Sequence, residues 1–174
     1  MSHPPISPAQ ILVTQRDLEI KIYNDLRADF PKEAYQQDKS RGFALTSIRA
    51  QYIVERLNTV LGIGGWTLKG NFDKQDNDIV YFGTLVFRVG DKYYTHEGVG
   101  HSAIKKNLGD SYKSARTDCL SKIASLIGVG NEVFKGNVDP DTFETIDKEE
   151  VKKPAAVGSF KNNNNTVKGT SRYG

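Results

Sequence analysis

Cysteine is nearly absent, and Cys119 is the only one in 174 residues. That excludes an internal disulfide framework and any zinc site built on several thiolates, and it suits a reducing compartment. Long apolar runs are missing, and no stretch approaches the roughly 20 residues that a membrane helix needs. The first fifteen residues have neither a basic start nor an apolar core, so they do not read as a secretory signal. Phosphate-cradling loops are missing too. No G-x-x-x-x-G-K-[ST] occurs and no G-x-G-x-x-G follows a strand, which leaves ATP hydrolysis unsupported. Histidine is scarce, with His3, His96 and His101. The last two are five apart across an expected strand end and a glycine-bearing loop, and no acidic or cysteine ligand follows at a zinc spacing. No metal and no cofactor is expected.

Charge of one sign is also in short supply, because 24 basic residues meet 21 acidic ones. A net charge of +3 names no partner by itself. Its distribution says more. Residues 40–137 hold 13 basic and 9 acidic groups, whereas residues 1–39 and 138–174 are close to balance. A polyanion would meet the middle of the chain.

Three segments follow from the pattern. Residues 1–39 read as an N-terminal arm, with a short amphipathic helix from about Arg16 to Ala28 on Leu18, Ile22 and Leu26, ended by Phe30-Pro31. Residues 40–137 read as the core domain. Thr46 or Ser47 is placed to cap a helix whose face is Ala50, Val54, Leu57 and Leu61, and glycines at 62, 64 and 65 stop it. Trp66–Phe72, Ile79–Val89 and Lys92–Val99 read as strands, joined by a polar turn at residues 73–77 and a hairpin turn at Gly90-Asp91. A second helix, about Asp110 to Ile127, sets Ala115, Cys119, Ile123, Leu126 and Ile127 on one arc to cover the sheet. The pairs Gly98/Gly100 and Gly128/Gly130 read as turns and helix ends. The fold class is α+β: a helix, a three-stranded antiparallel meander and a long packing helix. Residues 138–174, with a Lys/Glu run and four consecutive asparagines, read as a flexible tail.

Catalytic chemistry finds little support. Asp73, Asp76 and Asp78 could hold magnesium in a nuclease, but aspartate also favours solvated turns. Cys119 lies on an apolar arc, which suits a structural thiol better than a nucleophile. What remains is a basic middle threaded with aromatics. Its cations include Arg49, Arg56, Lys69, Lys74, Arg88, Lys92, Lys105, Lys106, Lys113, Arg116 and Lys122, and its aromatics Tyr52, Trp66, Tyr81, Tyr93, Tyr94 and Tyr112. Cations release counterions from phosphates and aromatic faces stack on bases, so single-stranded nucleic acid is the candidate partner. Lys122, Ser121 and Ser125 share the polar side of the second helix. The rival readings are the nuclease and an interaction scaffold with no DNA role.

Two stretches carry a resemblance. One is Ile53-Val-Glu-Arg-Leu-Asn-Thr-Val-Leu-Gly-Ile-Gly-Gly-Trp66, and the other is Gly109 to Gly128 with Ala115, Thr117, Asp118 and Leu120. In that order, with strands and Gly98-Val-Gly100 between them, they resemble the Rad-fifty-two family of single-strand annealing proteins. The bacterial DNA damage response protein A and phage annealing proteins are similar, including an N-terminal helix that ends in Phe-Pro. The resemblance covers about residues 40–137. It implies a non-enzymatic protein of DNA repair or homologous recombination that anneals complementary single strands without ATP. It also implies a large ring of identical subunits with DNA in a positive groove. Two groove cations of the family fall on Ser121 and Lys122. A groove arginine of the family's first helix falls near Tyr52, counting back from Trp66, and Arg49 one turn away could substitute for it. Lys105 and Lys106 lie where the family makes a second DNA contact. The tail could dock other repair proteins. Such a protein would work in the cytoplasm of a bacterium or its phage, or in a eukaryotic nucleus.

Overall fold

The computed structural model describes residues 8–38 and 44–146. Helix α1 spans Pro8–Arg27, two turns more at its start than the amphipathic row alone indicates. Proline at a helix start costs nothing there, because the first N–H groups have no intrahelical partner. Leu26 is buried, while Leu18 and Ile22 pack on the edge of the core.

The end of α1 is held by a clamp. Arg56 donates to the carbonyls of Asp25, Leu26, Ala28 and Asp29, and its guanidinium lies 4.3 Å from the centre of the Phe30 ring. Asp25 and Leu26 are in the last turn, whose carbonyls a helix leaves unsatisfied, Ala28 and Asp29 follow it, and a cation there also complements the helix dipole. Arg56 is therefore engaged with the backbone rather than free for a phosphate.

Tyr35–Asp38 and Leu45–Ile48 form strands β1 and β2, an antiparallel pair with Tyr35 opposite Ile48. The sequence pattern hid this pair, and it overturns the expected cap. Thr46 and Ser47 lie in β2, where Thr46 Oγ1 donates to the Val138 carbonyl and Ser47 Oγ to that of Gln36. The residue before α2 is Arg49, in extended geometry and without a side-chain cap. Helix α2 spans Ala50–Leu61. Its deepest residues are Ile53 and Leu57, so the buried stripe is rotated from the expected row, with Val54, Val60 and Leu61 on its margins. Gly62 ends the helix at φ 85°, and the Trp66 indole N–H donates to Asn58 Oδ1 at 2.8 Å.

The meander is present, with longer strands than expected. β3 is Trp66–Gln75, β4 Asp78–Val89 and β5 Lys92–Ala103, in the order β3-β4-β5. The polar turn shrinks to Asp76-Asn77, because Asp73 pairs with Val80 and Gln75 with Asp78. Side chains alternate along each strand. Ile79, Tyr81, Leu85, Phe87 and Val89 are buried on one face of β4.

Helix α3, Leu108–Leu126, covers that face, and Asn107 caps it by accepting from the Gly109 N–H. Gly98 and Gly100 are not a bend. They sit inside β5, where α3 comes down on the sheet. A Cβ on Gly100 would lie 2.2 Å from the Ala115 carbonyl oxygen, and one on Gly98 2.6 Å from Ile123 Cγ1. Glycine here admits the helix. Cys119 is fully buried at the same contact, burial pushes its thiol up, and its Sγ lies 3.3 Å from the Gly98 carbonyl oxygen. This is a structural thiol.

The fold runs past the expected start of the tail. Helix α4, Asn131–Phe134, follows α3. Val138 is buried and bridges to Thr145, Phe143 stacks against Tyr35 at 6.0 Å, and Lys32 pairs with Glu144 at 2.7 Å. Residues 138–146 thus pack on the pair of β1 and β2, and the remainder of the expected tail lies outside the described residues. No helix among the described residues is long and apolar enough to cross a membrane.

Glu19 ties the middle of α1 to the sheet. It accepts from the Tyr94 hydroxyl and the Gln15 amide and pairs with Lys92, while Gln15 also donates to the Val89 carbonyl. The Tyr94 hydroxyl first, and then Gln15, hold the Glu19 carboxyl below its ordinary range. A depressed folded-state value contributes stability above the unfolded glutamate value of about 4.3, and that stability is lost as the pH falls through the folded value. Acid unfolding followed by circular dichroism should therefore be less steep below about pH 4 in Glu19→Gln; an unchanged profile would remove this tether. Arg56→Ala should lower the unfolding free energy by about 2–3 kcal/mol in urea, and Arg56→Lys should restore only part, because an ammonium does not span four carbonyls. A loss under about 0.5 kcal/mol would mark the clamp as incidental.

Candidate nucleic-acid interface

The basic residues expected to meet DNA fall in three places. The first is α3 with its entry loop. Residues 105–122 hold five cations and two acids, an excess equal to the net charge of the whole chain. Lys105 is fixed at both ends of its structure: its backbone N–H donates to the buried Ser111 Oγ, and its Nζ to Ser114 Oγ at 2.8 Å. Lys106, Lys113 and Arg116 are exposed and have no ion pair or hydrogen-bonded side-chain partner among the described residues. Lys113 and Lys122 are nine residues apart, about two and a half turns, which sets them on opposite flanks of α3. Arg116 shares the flank of Lys113.

Lys122 is engaged. Its Nζ lies 2.7 Å from Asp118 Oδ2, and the same oxygen accepts from the His101 backbone N–H at 2.9 Å. The His101 ring nitrogen Nδ1 is 3.8 Å away. Asp118 therefore pins α3 to the outer edge of β5 and neutralises the lysine beside it. Ser121 is engaged as well, because its hydroxyl donates to the Thr117 carbonyl at 3.0 Å, one helical turn back. Ser125 does the same toward Lys122 at 2.7 Å. Of the two positions on α3 that were expected to face DNA, one thus presents a paired lysine and the other a hydroxyl turned to its own helix.

The second place is the start of α2. Arg49 is exposed and has no ion pair among the described residues, while Tyr52 is half-buried and packs against the core. The third is the sheet face away from α3. By strand alternation Lys69 and Arg88 project there, Lys69 opposite Thr84 and Arg88 opposite Tyr93. Both are exposed and lack ion pairs among the described residues. Between them Phe82 and Val99, cross-strand partners, remain exposed. The structure thus brings Lys105, Lys106, Lys113, Ser121 and Lys122 onto one element and its entry loop, and places Lys69 and Arg88 on another surface.

Arg116 belongs with the first group although no motif marks it; its spacing of three from Lys113 on a helix was the available signal. The three aspartates at the β3–β4 turn do not gather. Asp73 accepts from the Gln75 amide at 3.0 Å, Asp76 is in the turn, and no group of three or more metal-ligating side chains exists among the described residues. His96 and His101 are separated too, since alternation in β5 points them to opposite faces.

No family model and no curated protein matches the chain.

The Asp118–Lys122 pair is half-exposed and spaced i, i+4, so solvent screens most of its attraction. A double-mutant cycle on the two should give a coupling of about 0.3–0.5 kcal/mol in urea unfolding. Asp118→Ala should cost roughly 0.5–1 kcal/mol more than Lys122→Ala, because only the former strips the His101 N–H of its acceptor. Equal costs would show that the bond to β5 contributes nothing.

Proposed function

We propose that this protein binds single-stranded DNA through α3 and its entry loop and promotes annealing of complementary strands without ATP. The observation that carries the reading is the charge of residues 105–122. The chain's entire cationic excess sits there, and Lys106, Lys113 and Arg116 hold no countercharge among the described residues. Cations that are not matched by the protein's own carboxylates are suited to exchange counterions with a phosphate chain. The order of elements adds support. A helix ending at Gly62-Ile-Gly-Gly-Trp66, a meander and a helix bearing Thr117-Asp-Cys-Leu120 follow the arrangement that the resemblance implies.

Three or four contacts per chain are weak alone, and repetition around a ring of subunits would give a continuous track. The sheet supports self-association, because among the described residues β3 and β5 are both edge strands and the face bearing Phe82 and Val99 is uncovered. In such a ring the groove cations would be Lys106, Lys113 and Arg116, with Lys105 and Lys122 recruited by exchanging their present partners. The role is binding and pairing rather than catalysis, in DNA repair or recombination. The aspartate-based nuclease has no observation in its favour.

Gel shifts with single-stranded and duplex oligonucleotides, together with an annealing assay, test the reading. Tighter binding of the single strand and faster pairing of complements are expected; equal affinity with no acceleration would defeat it. Lys113→Ala with Arg116→Ala should lower the slope of log affinity against log salt by about 1.4, at roughly 0.7 per phosphate contact on a single strand. Lys122→Ala should change the slope less than either, because its charge is already matched. Light scattering should report a multi-subunit species, and a monomer at all concentrations would remove the ring.

A further inference from the structure

The end of the sheet far from the α3 entry loop holds a cavity of about 530 Å3. Its floor comes from Leu18 of α1 and Val60 of α2, and its rim from Ile63, Gly64, Arg88 and Tyr93. Ile63 and Tyr93 are 94% and 71% exposed, the two highest values among the exposed large apolar side chains. Tyr93 enters no ring stacking or cation–π contact, and Arg88 enters no ion pair, among the described residues. The two are cross-strand partners in the last rows of the β4–β5 hairpin, so alternation sends both side chains to the same face.

Among the described residues, Arg88 is the only charged one lining the cavity, and no carboxylate does. Asp91 stands in the turn beyond it, and the nearby Lys92 is matched by Glu19. The rim of the cavity therefore carries an unmatched guanidinium next to an unstacked aromatic ring, both rising from the sheet face away from α3, beside apolar residues of α1 and α2. Gly64 and Gly65 bring a backbone without side chains to the rim, where a planar group can approach closely. A guanidinium matches a phosphate bidentately and a tyrosine face stacks on any base. The volume lies within the range of pockets that enclose small ligands.

We infer that this cavity is a nucleotide pocket, with Tyr93 stacking on the base and Arg88 holding its phosphate. The ligand is either one nucleotide of a bound single strand, which rests on the function proposed above, or a free mononucleotide. On a strand the pocket would seat a base at the far end of the sheet from Lys105 and Lys106, fixing where the strand's path ends or turns. Neither side chain has a hydrogen-bond, ion-pair or ring partner among the described residues, so Tyr93→Ala, Tyr93→Phe and Arg88→Ala should fold with unchanged melting temperature.

The test measures fluorescence anisotropy with a labelled dT20 across a salt series, and equilibrium dialysis with thymidine monophosphate. Tyr93→Ala should weaken dT20 binding at least fivefold at constant salt slope, and Tyr93→Phe should restore it. Arg88→Ala should reduce the slope by about 0.7. An iodouracil-bearing strand should photo-cross-link to Tyr93 in the unaltered protein. If dT20 binds but all three variants retain its affinity and slope, the pocket is overturned while the strand-binding function survives. If only the mononucleotide binds, and Tyr93→Ala abolishes that, the pocket stands and the annealing function falls. If neither probe binds, both are overturned.

Discussion

The contact of α3 with β4 and β5 is the constraint on which the rest depends. The helix comes close enough that a side chain at Gly98 or Gly100 would strike it, and Gly83 meets Cys119 Sγ in the same way. Close approach increases dispersion contact along the whole interface and leaves no room for water. It also fixes the roll of the helix about its own axis. Ala115, Cys119 and Ile123 must face the sheet, so Lys113, Arg116 and Lys122 have no freedom over which flank they occupy. The charge pattern of the candidate interface is set by the size of three residues on the neighbouring strands.

The α+β architecture was legible because both periods are strong. Alternation in Ile79–Val89 marks a half-buried strand, and the arc of Ala115, Cys119 and Ile123 marks its covering helix. The pair β1 and β2 was not legible, because Tyr-Gln-Gln-Asp and Leu-Thr-Ser-Ile are four-residue strands with no alternation, whose value lies in docking Val138 and Phe143 from far along the chain. Tertiary contact overrode a plausible capping role for Thr46 and Ser47. The expected tail failed at its start for the same reason, since Val138 and Phe143 are isolated apolar residues whose partners are about a hundred positions away. Gly98 and Gly100 misled because a glycine in a strand and a glycine in a turn look alike in one dimension.

The candidate site was legible in composition and not in pairing. Spacing placed Lys122 on an exposed flank but did not say that Asp118 had already taken it, because that carboxylate also serves the backbone of β5. Lys113 and Arg116 gained weight only once they proved to have no partner among the described residues. Arg56 moved the other way. As a basic residue among aromatics it qualified for phosphate, yet its four carbonyl partners make it the clasp of α1. Cations in one basic segment therefore divide into those that satisfy the fold and those that remain available to a ligand.

The burial of Cys119 has a practical corollary. The chain has no other sulfhydryl, and this one is sealed beneath the helix with its ionisation suppressed. A cysteine introduced at an exposed position would be the sole reactive handle per subunit. Spin labels or dye pairs could then report spacings between neighbouring copies without altering a native side chain of the interior.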